Sequence, residues 1–304
     1  MLTERCHMRQ RFLFEGGWFM KIRFTKMQAY GNDYVYIDAI HQQLPDLPAL
    51  ARFLSDRHFG VGSDGMILIC PSETADFRMR VFNPDGSEAE MCGNASRSVG
   101  KFVYDHHLTT KTDLTLETLG GIKQLHLFVE NGTVVNIRAD IGVPVMEPAR
   151  IPVNTSLAEF VSQPVRVLDR DFHVTALSWG NPHMVTFVEN VSDFDVDAFG
   201  YAFEHLTSLF PQKTNVTFAQ FIDRSHLKMR EWERGTGETI GCGTGCCTAV
   251  VAAVRLNLCD RKVTVSQIGG PLDVEWDEQT GHVLMTGPSH TVFESEIEAG
   301  HLPA

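Results

Sequence analysis

The sequence predicts an α/β (α+β) fold made of two pseudo-symmetric, duplicated domains. Each is expected to be a strand-rich, barrel-like sheet around a central helix, with the active site in the cleft between them. Two observations carry this reading. Short anchors recur at an offset of 149–150 residues, and each half alternates strand-like runs with one helix-like run.

The repeat is built from six pairs in one order. Gly31-Asn32 returns as Gly180-Asn181, each after an aromatic (Tyr30, Trp179) and before an apolar strand. Arg80-Val81-Phe82-Asn83 aligns with Arg230-Glu231-Trp232-Glu233. Glu88, four residues before Cys92-Gly93, aligns with Glu238, four before Cys242-Gly243. Leu114-Thr115-Leu116 leads to Gly120-Gly121 as Val263-Thr264-Val265 leads to Gly269-Gly270, and the turn Asn131-Gly132 matches Thr280-Gly281.

Within each half, Tyr34–Ile37, Met66–Ile69 and Leu125–Val129 are β-branched and aromatic runs of strand length. One helix per half is expected to start at the Cys-Gly element. Thr248 to Leu258 sets Val250, Val251, Val254 and Leu258 on one face, as Val99, Phe102 and Val103 do in the first half. Pro144, Pro148 and Pro152 mark a linker between Gly142 and Pro152. The expected units are therefore 20–142 and 143–287, with the tail 288–300 a candidate to return to the first. Residues 1–19 mix Arg5, Arg9 and Arg11 with Glu4 and Glu15 and lack the apolar core of a signal peptide, so they read as a translated leader before a start at Met20.

Composition narrows the class. The 304 residues are 43% hydrophobic and 21% charged, the mixture of a globular protein with enough chain for two cores. No apolar run reaches the ~18 residues of a membrane span. The net charge of −12 repels a nucleic-acid backbone, so neither nucleic acid nor membrane is an expected partner. Seven irregularly spaced cysteines read as reduced thiols of a cytoplasmic protein.

Duplication about a pseudo-two-fold axis sets equivalent residues face to face, and here these include Cys92 and Cys242, each just before a helix. A helix start offers free N–H groups and partial positive charge, which lowers a thiol's pKa and binds carboxylate. Gly93 and Gly243 let that backbone approach a ligand closely. Two opposed thiols can invert a stereocentre: one, as thiolate, removes a proton, and the other delivers one to the opposite face. Without a cofactor, the carbanion of an amino acid must be supported by N–H groups around its carboxylate and by exclusion of water.

The plainer explanation of a cysteine beside a helix is a small buried apolar residue. It suits Cys70, Cys246, Cys247 and Cys259, and does not suit the repeat-related pair in polar Gly/Asn/Thr-rich sequence. Cys242, Cys246 and Cys247 lack zinc or iron–sulfur spacing, so no metal is expected. The glycine runs at 60–65 and 241–245 are too loose for a dinucleotide fingerprint.

The segments 83–94 (Asn83 to Asn94) and 233–245 (Glu233 to Gly245) resemble the two signature segments of the diaminopimelate epimerase family. Gly31-Asn32-Asp33, Gly62-Ser63-Asp64-Gly65, Gly180-Asn181-Pro182-His183 and Thr214-Asn215-Val216 resemble its shorter motifs in the same order, and the likeness spans roughly 21–297. The resemblance implies a cofactor-independent homodimeric epimerase of lysine and peptidoglycan precursor synthesis, with Cys92 and Cys242 as the acid/base pair. It implies that Gly93, Asn94, Gly243 and Thr244 hold the reacting carboxylate. Asn32, Asn83, Asn181, Asn215, Glu233 and Arg234 fall on its substrate-binding positions, with His183 and Gly65 as supporting ones. Asn both donates and accepts, Arg forks onto carboxylate and Glu meets ammonium; several of the Asn residues also suit turns. Two departures stand out: Ala95-Ser96-Arg97-Ser98 differs from the commoner Gly…Cys pattern, and Gly65 replaces a Gln found in some members.

Two other readings stay open in the residues. A racemase of another amino acid, such as histidine, could share the architecture, although Glu233 and Arg234 suit a substrate with a second ammonium and carboxylate. A non-catalytic ligand-binding or metal-binding protein could keep the fold without needing both thiols.

Overall fold

The computed structural model describes residues 21–298 and, before them, the backbone of a short hairpin, β1 (Leu13–Phe14) with β2 (Gly17–Trp18). The expected leader with its start at Met20, and residues 299–300 of the tail, otherwise lie outside the described residues. The first half runs β3 (Lys21–Ala29), β4 (Asn32–Asp38), α1 (Leu47–Ser55), β5 (Met66–Cys70), β6 (Phe77–Phe82), β7 (Glu88–Ala89), α2 (Gly93–Asp105), β8 (Asp113–Thr118), β9 (Gly121–Glu130) and β10 (Thr133–Gly142). A 3-10 turn at Pro148–Arg150 follows. The second half is β11 (Gln163–Val167), β12 (Arg170–Ser178), β13 (Pro182–Phe187), α3 (Val196–Glu204), β14 (Asn215–Asp223), β15 (His226–Glu233), β16 (Gly237–Thr239), α4 (Gly243–Arg255), β17 (Lys262–Gln267), β18 (Gly270–Trp276), β19 (Val283–Gly287) and β20 (His290–Glu298).

The pairings form one continuous rolled sheet in the order β20-β3-β4-β5-β6-β8-β9-β10-β19-β18-β17-β15-β14-β13-β12-β11. This order is a palindrome about the β10–β19 pair. Parallel pairs fall at equivalent places, β4–β5 and β6–β8 in one half, β13–β14 and β15–β17 in the other. A parallel pair needs a crossover, and each crossover carries a helix. The outermost strands are exchanged: β20, next in the chain after β19, pairs with β3 of the first half, and β11, next after β10, pairs with β12 of the second.

Because side chains alternate across a strand, each sheet wall feeds two cores. Tyr34, Tyr36, Ile67, Ile69, Met79 and Val81 face inward with Val99, Phe102 and Val103 of α2. Val35, Ile37, Met66, Leu68 and Phe82 face outward, under Leu50, Ala51 and Leu54 of α1. Burial on both faces is why Met66–Ile69 reads as an unbroken apolar run. In the second half Val216 and Phe218 meet α3, while Ala219, Leu227 and Met229 join α4. The inner core is common to both halves and holds α2 and α4 together.

One helix per half starts at the Cys-Gly element, α2 and α4, and α1 and α3 are further helices on the outer faces that the sequence reading did not find. Asp46 and Asp195 cap them, accepting from Ala49 N–H at 2.9 Å and Ala198 N–H at 3.0 Å. Asp46-Leu47-Pro48 was a readable start signal. α4 starts five residues before the apolar stripe read from the sequence and ends at Arg255. No helix among the described residues is long and apolar enough to cross a membrane.

Candidate active site

Both cysteines are helix N-caps with extended backbone: Cys92 for α2 (φ −135°, ψ 119°) and Cys242 for α4 (φ −124°, ψ 111°). Each is delivered by a hairpin locked by an ion pair. Arg80 forks onto Glu88 at 2.8 and 2.9 Å across β6–β7, and Arg230 onto Glu238 at 2.6 and 2.9 Å across β15–β16. These are the Arg and Glu anchors of the sequence repeat, and bidentate geometry fixes the turn that precedes each thiol.

The two helix starts meet across Met285 of β19. A Cβ on Gly93 would sit 2.9 Å from Met285 Cε, and one on Gly243 would sit 2.9 Å from its Sδ and 3.6 Å from Asn94 Oδ1. A side chain at either position would have to displace the flexible end of Met285. The halves also interlock at the rim, where a Cβ on Gly31 would meet Ile240 Cδ1 at 2.0 Å and one on Gly241 would meet Tyr30 Cβ at 2.7 Å.

Around the thiols, Cys92 Sγ donates to Asn32 Oδ1 at 3.5 Å. Cys242 Sγ accepts from Gly245 N–H at 3.3 Å and lies 3.4 Å from the Thr244 hydroxyl. Burial pushes the Cys92 thiol up. The N–H of Ala95, the Tyr34 phenol and the N–H of Asn94 draw it down, and the Glu233 carboxylate adds to the rise. Cys242 is raised well above the ordinary thiol value by burial first, then by Glu233 and Glu231, against the Thr244 hydroxyl and Gly245 N–H. The sequence argument that a helix start lowers these thiols is thus corrected. The N–H groups act downward as expected, and desolvation outweighs them. Glu233, the last residue of β15, is a carboxylate that acts on both sulfurs.

The other predicted residues fall into pairs related by the repeat. Asn32 at the start of β4 donates to Asp64 Oδ2 at 2.9 Å, and Asn181 sits in the equivalent turn before β13. Gly65 and Asn215 precede β5 and open β14. Gly65 (φ +151°) offers no side chain, since a Cβ would lie 2.3 Å from Phe82 O and 2.9 Å from the Tyr34 ring. Asn215 instead accepts from Arg234 N–H at 2.8 Å and bonds the buried His183 ring at 3.2 Å. Asn83 closes its hairpin onto Ser87 Oγ at 3.0 Å, whereas its counterpart Glu233 accepts from Thr239 Oγ1 at 2.7 Å and is pushed up by burial. Arg234 is exposed, with Nη1 on Gln212 O at 2.9 Å. Asn94 Oδ1 accepts from Arg97 Nη2 at 2.6 Å.

Several polar residues of the site region were not singled out from the sequence. Gln267 Oε1 accepts from Cys242 N–H at 2.9 Å and lies 3.5 Å from Cys246 Sγ. Glu231, buried beside His183 at 3.6 Å, accepts from Thr217 Oγ1 at 2.6 Å and fills the space a Cβ on Gly245 would need. Glu204 of α3 holds the 233–237 turn, accepting from Gly235 N–H at 3.1 Å, Trp232 Nε1 at 2.8 Å and Lys213 Nζ at 3.0 Å. A polar or charged residue at the edge of or inside an apolar run was their only sequence signal. Among the described residues no three His, Cys, Asp or Glu side chains converge as a metal site would require. Two shallow hollows of about 250 and 350 Å³ flank Arg138 near the β10–β19 pair, and neither is lined by a predicted site residue.

Two duplicated strand-rich halves, each wrapped around a central helix, define a fold class that also contains solved structures. One is a phenazine biosynthesis protein of the PhzF family from Bacillus anthracis, 18% identical, covering 91% of this chain and 99% of that one, with a TM-score of 0.66. Another is a hydroxyproline epimerase from Agrobacterium vitis with bound trans-4-OH-L-proline, 13% identical over 92% and 93% of the two chains, TM-score 0.66. At those identities the likeness is one of fold. Sequence goes further: the diaminopimelate epimerase family profile matches residues 24–147 and 175–292. A diaminopimelate epimerase of Methanococcus maripaludis is 50% identical over 277 residues, 91% of this chain and all of the relative. One of Acetivibrio thermocellus is 49% identical over 281 residues, 92% of this chain and again all of the relative. The chain belongs to the diaminopimelate epimerase family.

Proposed function

We propose that this chain interconverts LL- and meso-diaminopimelate by proton transfer between Cys92, Cys242 and one α-carbon. The observation that carries the reading is the pair of repeat-related cysteine caps on helices that meet at Met285, with Glu233 in electrostatic reach of both sulfurs. One sulfur, as thiolate, takes the α-proton. The electron pair left on carbon delocalises into the carboxylate, and the other sulfur gives its proton to the opposite face. The N–H groups at Gly93, Asn94, Gly243 and Thr244 would hold that carboxylate. Asn32, Asn83, Asn181 and Asn215 would line the substrate, with His183 fixing Asn215 and Gly65 leaving room for Tyr34.

The second half carries the features that distinguish the distal end. Where the first half has Gly65 and Asn83, the second has Asn215, Glu233 and the adjacent Arg234. We assign the distal ammonium to Glu233 and the distal carboxylate to Arg234. Replacing Arg234 with Lys keeps the charge and loses the fork, so kcat/KM for diaminopimelate should fall by about 2–5 kcal/mol in transition-state terms. Alanine, lacking a distal end, should be a very poor substrate and indifferent to that change. Units 20–142 (with the tail 288–300) and 143–287 would be the two walls of the cleft. The same reading makes the protein a cytoplasmic homodimer acting on a small amino acid in lysine and peptidoglycan precursor synthesis.

The test is turnover of LL-diaminopimelate in D2O without added cofactor. Deuterium should enter the product α-carbon early while recovered substrate stays protiated, because each sulfur handles its own proton. Equal early labelling of both would mean a single base. Histidine or alanine turning over faster than diaminopimelate would sink the substrate assignment and leave the two-thiol chemistry standing.

A further inference from the structure

Arg97 is fully buried on the first turns of α2, yet its partners are not those a buried guanidinium ordinarily has. Nη2 donates to Asn94 Oδ1 at 2.6 Å, and Nη1 lies 3.4 Å from Gly93 O and 3.3 Å from Met285 Sδ. The guanidinium carbon stands 5.4 Å from the centre of the Tyr30 ring, and Nε has no hydrogen-bond partner. Among the described residues no carboxylate pairs with it. A charge removed from water without a counter-ion is costly and persists where something else supplies the opposite charge.

The surroundings say where that opposite charge would come from. Arg97 Nη1 lies 3.6 Å from where a Gly243 Cβ would be, so the guanidinium sits at the meeting point of both helix starts. The titratable groups facing it are Tyr30 and Tyr36 from the β3–β4 side, Cys92 on its own helix, and Cys246 and Cys247 on α4. β19 contributes the neutral Met285, and Lys101, one turn on, is already held by Val134 O and Asp105 at 2.8 and 2.7 Å. The repeat counterpart of Arg97 is Cys247, so this cation has no mirror image in the second half.

We infer that Arg97 is a positioning residue of the reaction: its unpaired buried charge fixes Asn94 at the meeting of the helix starts and stands ready to be neutralised by the reacting carboxylate and thiolate. This rests on the two-thiol reading above. The charge acts through Asn94 and the helix backbone, so Arg97 need not touch substrate. Arg97 adds an unpaired positive charge beside both helix starts, which favours entry of an anionic group and offsets the repulsion that group and the nearby carboxylates exert on a thiolate.

Thiol alkylation tests this without needing turnover. Iodoacetamide modification of Cys92 and Cys242 is followed by peptide mass against pH in the natural chain, R97M and R97K, beside kcat and KM for diaminopimelate. In R97M, Cys92 alkylation at pH 8 should slow by about tenfold, because less of the sulfur is thiolate. R97K keeps the charge, so its alkylation profile should stay within about threefold of the natural one while KM rises, since a single ammonium cannot hold Asn94 as the fork does. A folded R97M with the natural profile overturns the inference, as does an R97K slowed as much as R97M or unchanged in both readouts. Should R97M fail to fold, R97K decides alone by the same outcomes. Failure of diaminopimelate to turn over would count against the substrate assignment and leave the alkylation result intact.

Discussion

At Glu233 burial and function pull in opposite directions. Burial holds this carboxyl above its ordinary pKa of 4.5, even with the Thr239 hydroxyl donating to it. A folded-state pKa above the unfolded value means that the folded chain keeps its proton longer. Stability contributed by that proton is complete below about pH 4.5 and is lost as pH rises through the folded pKa. Glu233→Gln should therefore raise Tm at neutral pH, with the gain fading below pH 4.5, while kcat/KM for diaminopimelate falls at least tenfold. A drop in Tm at pH 7 would show that the charge is already compensated in the empty site. The two thiols carry the same sign at higher pH. Both are raised above 9.0, so stability should decline as pH climbs past about 9, and Cys92→Ser with Cys242→Ser should flatten that decline in a denaturant series. Cys92 and Cys242 themselves were legible in the sequence because duplication marked them. Their ionisation was not, since it depends on what surrounds the sulfur.

The elements that set the site in place are α1, α3 and the two Arg–Glu hairpins. α1 covers the outer face of β4 and β5 with Leu50 and Leu54, both fully buried. Leu54→Ala should cost about 2–5 kcal/mol in urea unfolding, the range for a core truncation that cannot collapse. Asp46→Ala removes one cap and should cost about 0.5–2 kcal/mol. Neither change touches the inner core, so kcat of the remaining folded protein should be unaltered. Glu204 differs, because it ties α3 to the turn bearing Glu233 and Arg234. Glu204→Gln should raise KM for diaminopimelate with little change in kcat, measured by initial rates; the reverse split would place Glu204 nearer the chemistry. The sequence reading found α2 and α4 through their cysteines and passed over α1 and α3. These are nine residues long and carry no cysteine or repeat anchor, so nothing in the duplication pointed to them, although their apolar faces are helical in period.

Across the molecule, the exchange of outer strands makes the halves mutually dependent. β20 comes from the far end of the chain and pairs with β3 from Lys21 to Gln28, and the inner core draws residues from both halves. Residues 21–142 expressed alone should lack β20 and half of that core, and give a chain without cooperative unfolding. A sharp thermal transition for that fragment would contradict this dependence. The sequence by itself determined the duplication, the strand-rich character with a helix after each Cys-Gly element, the repeat-related cysteines and the family, because each is written in spacing and local pattern. Tertiary structure alone decided that one rolled sheet joins the halves through β10 and β19. It alone decided that Met285 bridges the two helix starts, that Glu233 acts electrostatically on both sulfurs and that Arg97 stands near them with no carboxylate partner among the described residues. The physical reason is that spacing and pattern are local properties of a chain, whereas desolvation and charge balance belong to a volume filled by residues some two hundred positions apart.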